Sequence, residues 1–208
     1  MISVLTGDIV YSTGMQQDTY QGVVALLKKQ FSQVQQKYNA VGDIYRGDEF
    51  QIQYPTPEHA ITSAILIKLA LHQSDLSTKP IRCTMSLAFG EYKVYAAKPN
   101  TSTGPVFIDS GRGLDNTPRG DLSIHVNEKI LPFELILLTR FLNHQLNKLT
   151  KAQANLLSLY IEQDFADHSE MAALTGTTRQ NISNRLSNIG ATLVRDYIDT
   201  YNAYLNNL

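Results

Sequence analysis

The chain has 208 residues, a formal net charge of −1 and 43% hydrophobic residues. That apolar content suffices for a packed core and excludes a disordered chain, while the balanced charge excludes a global basic field that would draw nucleic acid. The single cysteine, Cys83, excludes an internal disulfide, and neither a basic leader nor a membrane-length apolar run is visible, so a soluble cytoplasmic protein with no membrane partner is expected.

In chain order, ISVLTGD (Ile2 to Asp8) is short, β-rich and closed by Gly-Asp, the pattern of a buried strand. From Thr19 to Asn39, Tyr20, Val23, Val24, Leu27, Phe31, Val34 and Tyr38 recur at helical spacing. AVGDIYRGDEFQIQY predicts two strands with a turn near Gly47-Asp48. A mostly buried helix follows, with Thr56 as N-cap and Pro57 at its first position. IRCTMSLAFGEYKVY predicts a strand that continues into a hairpin, with Cys83 as a buried small side chain. AAKPNTSTG is a loop, PVFIDSGRGLDN a short helix weakened by glycines, and LSIHV a last strand. The order β-α-β-β-α-β predicts an α+β fold: a ferredoxin-like (palm) antiparallel sheet with helices on one face.

After about Glu128 every segment reads as helix. The predicted division is therefore a palm domain at 1–128 and an all-α helix-turn-helix module at 129–208. LPFELILLTRFLNHQLNKL has an apolar face, Thr150 caps the next helix, and HSEMAALTG ends at Gly176. The remainder is one long helix or two, with Gly190 as the weak point. Its final stripe, Leu193, Val194, Tyr197, Ile198, Tyr201 and Leu205, either closes the module's own core or pairs with a second copy in a homodimer.

The predicted topology places Asp8, at the end of the first strand, beside Asp48, at the tip of the following hairpin. Two close carboxylates raise one another's pKa unless a cation intervenes, and Mg2+ or Mn2+ suits such a pair. Gly-Asp is also an ordinary turn former. Glu49 is either a third ligand or the outward residue of a strand whose Phe50 and Ile52 point the other way. The backbone N–H groups of Ile9, Val10, Tyr11 and Ser12 are candidates to cradle phosphates as the chain enters the first helix. Arg46, Arg82 and Arg112 are the basic candidates for phosphate contact. The scattered histidines lack metal-ligand spacing.

TGDIVYS resembles the first-strand motif of class III nucleotidyl cyclases, and RGDEFQIQYPTPEHAITSAI resembles their second motif and its helix. GDEF is similar to the GGDEF motif of diguanylate cyclases, and the whole chain, with GPVFIDSGRGLDN and its helical end, most resembles the small SatD family. The cyclase resemblance implies metal binding by Asp8 and Asp48. It departs at Ile44, where a base-reading lysine is usual, and at Ile108, where an asparagine precedes an arginine matched here by Arg112. Arg46 replaces the first glycine of GGDEF. The resemblance thus implies that the metal and phosphate half of the site is kept and the base-reading and transition-state half lost or rebuilt, and no residue is assigned a catalytic role.

HSEMAALTGTTRQNISNRL has helix-turn-helix rhythm. Ala172 permits the crossing, Gly176 the turn, and Ile182 and Leu186 anchor the second helix. Thr178, Arg179, Gln180, Asn181, Ser183, Asn184 and Arg185 are polar without an acid, side chains suited to base edges and phosphates. LLSLYIEQ followed by this stretch resembles sigma-factor region 4. From Thr150 onward, however, four basic residues (Lys151, Arg179, Arg185, Arg195) face six acidic ones (Glu162, Asp164, Asp167, Glu170, Asp196, Asp199), so DNA binding by a monomer is expected to be weak. The expectation is a DNA-binding transcriptional regulator with a nucleotide- or phosphate-binding palm domain. The alternatives are a metal-dependent nucleotide enzyme, a cyclase or phosphohydrolase, and a non-catalytic interaction scaffold.

Overall fold

A computed structural model describes residues 1–45, 47–127 and 129–208. Arg46 and Glu128 lie outside the described residues, and with Glu128 the predicted division point. Five strands form one sheet in the order β2-β3-β1-β4-β5: β1 (Ile2–Ile9), β2 (Val41–Tyr45), β3 (Glu49–Tyr54), β4 (Cys83–Gly90) and β5 (Leu122–Val126). β1 is antiparallel to β3 and β4, the split βαβ arrangement, while β5 runs parallel to β4 as an added edge.

The strands alternate as the sequence does. Leu5, Ile9, Phe50, Ile52, Met85 and Leu87 face one side, where α1 (Gln17–Tyr38) and α2 (Ala60–Gln73) cover them. The opposite side carries Thr6, Asp8, Glu49, Gln51, Thr84 and Ser86 and is polar. Helices were expected on one face only, but α3 (Pro105–Asn116) lies on this second face. Val106 joins Ile2, Val4 and Ala88 in a small apolar cluster, and Ser110 Oγ meets Thr6 Oγ1 at 2.5 Å. Gly113 permits the approach, since a Cβ there would collide with Ser86 Oγ and His125.

Two local expectations are corrected. α2 begins at Ala60 behind His59, not at Pro57, because Pro57 to Ala60 close a turn through Ala60 N–H and Pro57 O (3.2 Å). The hairpin after β4 does not form. Instead, the segment after Gly90 closes on itself at the Val94–Thr103 bridge and docks on β3, where Gln53 Nε2 donates to Ala96 O (2.7 Å).

The second half is helical: α4 (Phe133–Lys148), α5 (Lys151–Glu162), α6 (His168–Thr175), α7 (Arg179–Asn188) and α8 (Ala191–Asn206). Thr150 and Gln153 form a reciprocal capping box at the start of α5, and Gly190, at φ 60°, separates α7 from α8. The α8 stripe closes this half's own core: Val194, Tyr197, Ile198, Tyr201 and Leu205 are buried, and Leu193 stays outside. One apolar cluster runs from the sheet through α2 into α5, α7 and α8. His72 Nε2 bonds Leu149 O at 2.7 Å, and Lys151 Nζ donates to Ser77 O at 2.5 Å, fastening the two halves. Among the described residues no helix is long and apolar enough to cross a membrane.

Candidate functional site

Register puts Asp8 opposite Glu49 on β3 and Thr84 on β4. Its side chain takes the polar face because Leu5 and Ile9 take the apolar one. Gly47, at φ 84°, forms the β2–β3 turn in a conformation side chains disfavour, and Tyr20 Oη pins that turn by donating to Gly47 O (2.5 Å). The turn delivers Asp48 to Asp8. Ser12 Oγ donates to Asp48 Oδ2, and Asp8 and Asp48 share a side-chain hydrogen bond.

Asp8 is pushed up to about 6. Burial is the main cause, followed by the charge of Asp48, their shared hydrogen bond and the charge of Glu49, with a bond from Ile9 N–H opposing. Three carboxylates thus act on one corner. Among the described residues no group of three or more His, Cys, Asp or Glu side chains is gathered to hold a metal ion, so a cation here would rest on the Asp8–Asp48 pair. Glu49 shares Asp8's face and contributes charge.

The phosphate cradle expected over Ile9, Val10, Tyr11 and Ser12 is corrected in part. β1 extends through Ile9, and its ladder engages Val10, whose N–H donates to Arg82 O at 3.0 Å and is not free. Ile9 N–H is turned to the Asp8 carboxylate. α1 starts only at Gln17, after a 3-10 turn at Ser12–Gly14. Tyr11, at φ 61°, and Ser12 make the bend, and the Tyr11 ring, largely exposed, lies under Arg119 at 5.6 Å.

Arg119 escaped the sequence reading. Its signal is the turn PRGD immediately before β5, which ends at the same sheet edge as Asp8: Gly120 N–H donates to Thr84 Oγ1 (3.1 Å), and Thr84 pairs with Asp8. Arg112 does not join this corner. α3 turns Val106, Ser110 and Gly113 inward, leaving Arg112 exposed on the flank toward β5, where it lines a groove that Asp8, Asp48 and Glu49 do not reach. Arg82 lines the same groove, its guanidinium donating to Asn147 O at 3.4 Å. Arg46 lies outside the described residues. Ile44 shares Phe50's side and packs against the core, which keeps it off the polar face.

The second candidate region is α6 and α7. Asp167 caps α6 by accepting from Ser169 N (2.6 Å) and Glu170 N (3.0 Å). Gly176, at φ 65°, makes the turn, and Thr178 Oγ1 caps α7 by accepting from Asn181 N (3.2 Å). Ile182 and Leu186 are buried, while Arg179, Gln180, Asn181, Asn184 and Arg185 stand exposed and Ser183 is half-buried. Gln180 Nε2 reaches Asn184 Oδ1 at 3.3 Å, so these two already share the helix face.

Fold and site together define a ferredoxin-like sheet with a carboxylate corner, joined to a helical module. No protein-family model matches the chain, and no curated protein matches it. Among solved structures it is similar to the guanylyl cyclase Cya2, at 19% identity over 59% of this chain and 73% of that one, with a TM-score of 0.45. It is also similar to the adenylyl cyclase CyaB from P. aeruginosa (17%, 59% and 75%, 0.43). A third is the guanylate cyclase domain of RhGC from Catenaria anguillulae in complex with GTP (14%, 59% and 76%, 0.45).

Proposed function

We propose that this chain is a DNA-binding regulator whose palm half binds a nucleotide or another phosphate-bearing ligand through a divalent cation. The observation that carries the DNA half is the outer face of α7: exposed arginine and amide side chains, no acid, and an anchoring face already buried. Arg and Asn or Gln match base edges, and the arginines also neutralise phosphates. With two arginines on the helix, affinity falls steeply with salt, and two copies on neighbouring half-sites would add to it.

In the palm half, Asp8 and Asp48 are the residues that would hold Mg2+ or Mn2+. Their mutual repulsion is the condition a cation relieves, and two carboxylates with the remaining positions left to water and phosphate oxygens fit magnesium chemistry. Bound there, the ion would neutralise phosphate charge. Ser12 orients Asp48, Glu49 adds negative potential, and Arg119 offers a positive group beside the bend at Tyr11.

The test is fluorescence anisotropy on duplex DNA over a salt series. Binding that falls with salt and is lost in Arg179→Ala/Arg185→Ala supports the regulator, whereas no binding to any duplex at low salt removes it. A metal-dependent nucleotide enzyme is the second reading, favoured by the same Asp8–Asp48 pair. It requires magnesium- or manganese-dependent consumption of ATP or GTP that Asp8→Ala abolishes.

A further inference from the structure

A cavity of about 1180 Å³ lies away from the carboxylate corner, in a groove between α3, β5 and α4. Ligand pockets commonly occupy roughly 300–1,000 Å³, so this one has room for an organic molecule and some water. One wall is the free edge of β5. Met85 N–H donates to Asp121 O and Asn127 N–H to Phe89 O, each at 2.8 Å. In a parallel ladder the bonding residues of a strand alternate. Ser123 and His125 therefore turn their backbone groups to β4, and Leu122, Ile124 and Val126 turn theirs to the groove.

Leu122 is engaged through both groups and Val126 through its carbonyl. Asn143 Nδ2 donates to Leu122 O (2.7 Å) while its Oδ1 accepts from Leu122 N (2.8 Å), and Val126 O accepts from Lys129 N (3.2 Å). The N–H and C=O of Ile124 have no protein partner among the described residues, although Ile124 is only 6% exposed. Asn147 Oδ1, also on the groove, is buried and unpartnered. Buried main-chain and amide groups left unbonded are unfavourable by about 1–3 kcal/mol each, so they require water or a ligand. The Asn143 carboxamide displays the kind of edge that fits Ile124, a donor and an acceptor side by side in one plane.

The charge of the groove completes the description. Arg82, Arg112, Lys129, Arg140 and Lys148 line it against Asp109 and Asp121. Among the described residues none of the five cations has a side-chain carboxylate at ion-pairing distance. Leu131 and Ile136 supply apolar wall.

We infer that this groove binds a small heteroaromatic anion, its ring edge paired with the backbone of Ile124 and its phosphate or carboxylate held by Arg112 and Arg140. The occupant would touch both the sheet half, through β5 and α3, and the helical half, through α4. It needs no divalent cation.

The test is calorimetric titration of the full chain in EDTA with purine and pyrimidine nucleoside monophosphates and, separately, with indole-3-carboxylate. The two arms distinguish a phosphate from a carboxylate as the anionic group. The expected result is saturable binding by at least one arm, weakened about tenfold or more by Arg112→Glu or Arg140→Glu, a loss of at least one charge-assisted contact. Both arginines are exposed, and an unchanged melting midpoint shows that the variants fold. Bound ligand should slow hydrogen exchange at the Ile124 amide, and Asp48→Ala should leave affinity unchanged. No binding by either arm, binding matched by inorganic phosphate alone, or binding indifferent to both arginine variants would overturn the assignment.

Discussion

Two aspartates show how differently the two halves of this molecule hold charge. Asp167, at the start of α6, lies below the usual carboxylate range because the N–H groups of Glu170 and Ser169 donate to it. Asp8, at the end of β1, is pushed up to about 6 by burial and by Asp48 and Glu49. The α6–α7 pair uses the Asp167 charge internally, as a helix cap, and leaves the arginines and amides of α7 to solvent. The carboxylate corner is in electrostatic conflict until something positive arrives. The polar face of α7 therefore carries no charge conflict of its own, whereas the carboxylate corner does.

The largest effect that sharpens this contrast is Ile182→Ala. Ile182 is fully buried beneath α7, and truncation should destabilise by about 2–5 kcal/mol and lower the melting midpoint by several degrees. DNA binding should fail with it as the helix loses its seat. Calorimetry and anisotropy on the same preparation check both.

Asp8→Asn should act in the opposite direction, raising stability at pH 7 without metal. The repulsive contribution of Asp8 is fully present above its folded value of about 6 and absent below the ordinary value of 3.8. The gain in melting midpoint should shrink as pH falls through this window and vanish below it. Burial also depresses the imidazoles of His72 and His125, so wild type and Asp8→Asn alike lose stability in acid as pH falls below 6.5. The difference between them isolates Asp8. A midpoint lowered by Asp8→Asn at pH 7 would break the comparison.

The smallest effect concerns Thr178. Its hydroxyl caps α7, and Thr178→Ala should cost about 1 kcal/mol, seen in denaturant titration, with DNA affinity reduced much less than in Arg179→Ala/Arg185→Ala.

The elements that could be read from the sequence carry local signals. The Thr150 cap, the Gly190 break, the β5 segment LSIHV and the α3 segment PVFIDSGRGLDN all depend on neighbours within a few residues. What could not be read depends on partners far along the chain. Val10 N–H is engaged by Arg82, and Thr56-Pro57 looks like a helix start until its turn places the first helical residue at Ala60. Lys68, inside the apolar run of α2, is buried and donates to Gly120 O, and burial lowers its pKa. At the candidate site, the meeting of Asp8 and Asp48 follows from topology alone, because the hairpin tip and the end of β1 must be neighbours in this sheet. The displacement of Arg112 onto a separate groove follows from which side of α3 is small enough to lie on Ser86 and His125, a steric fact that only packing reveals.

The central claim is that Asp8 and Asp48 form a cation site, and a manganese titration of the melting midpoint at neutral pH tests it most directly. The wild-type midpoint should rise with manganese, while Asp48→Asn should start higher and stay flat, because the repulsion is already gone and one ligand is missing. Equal rises in both proteins, or no rise in either, would contradict it.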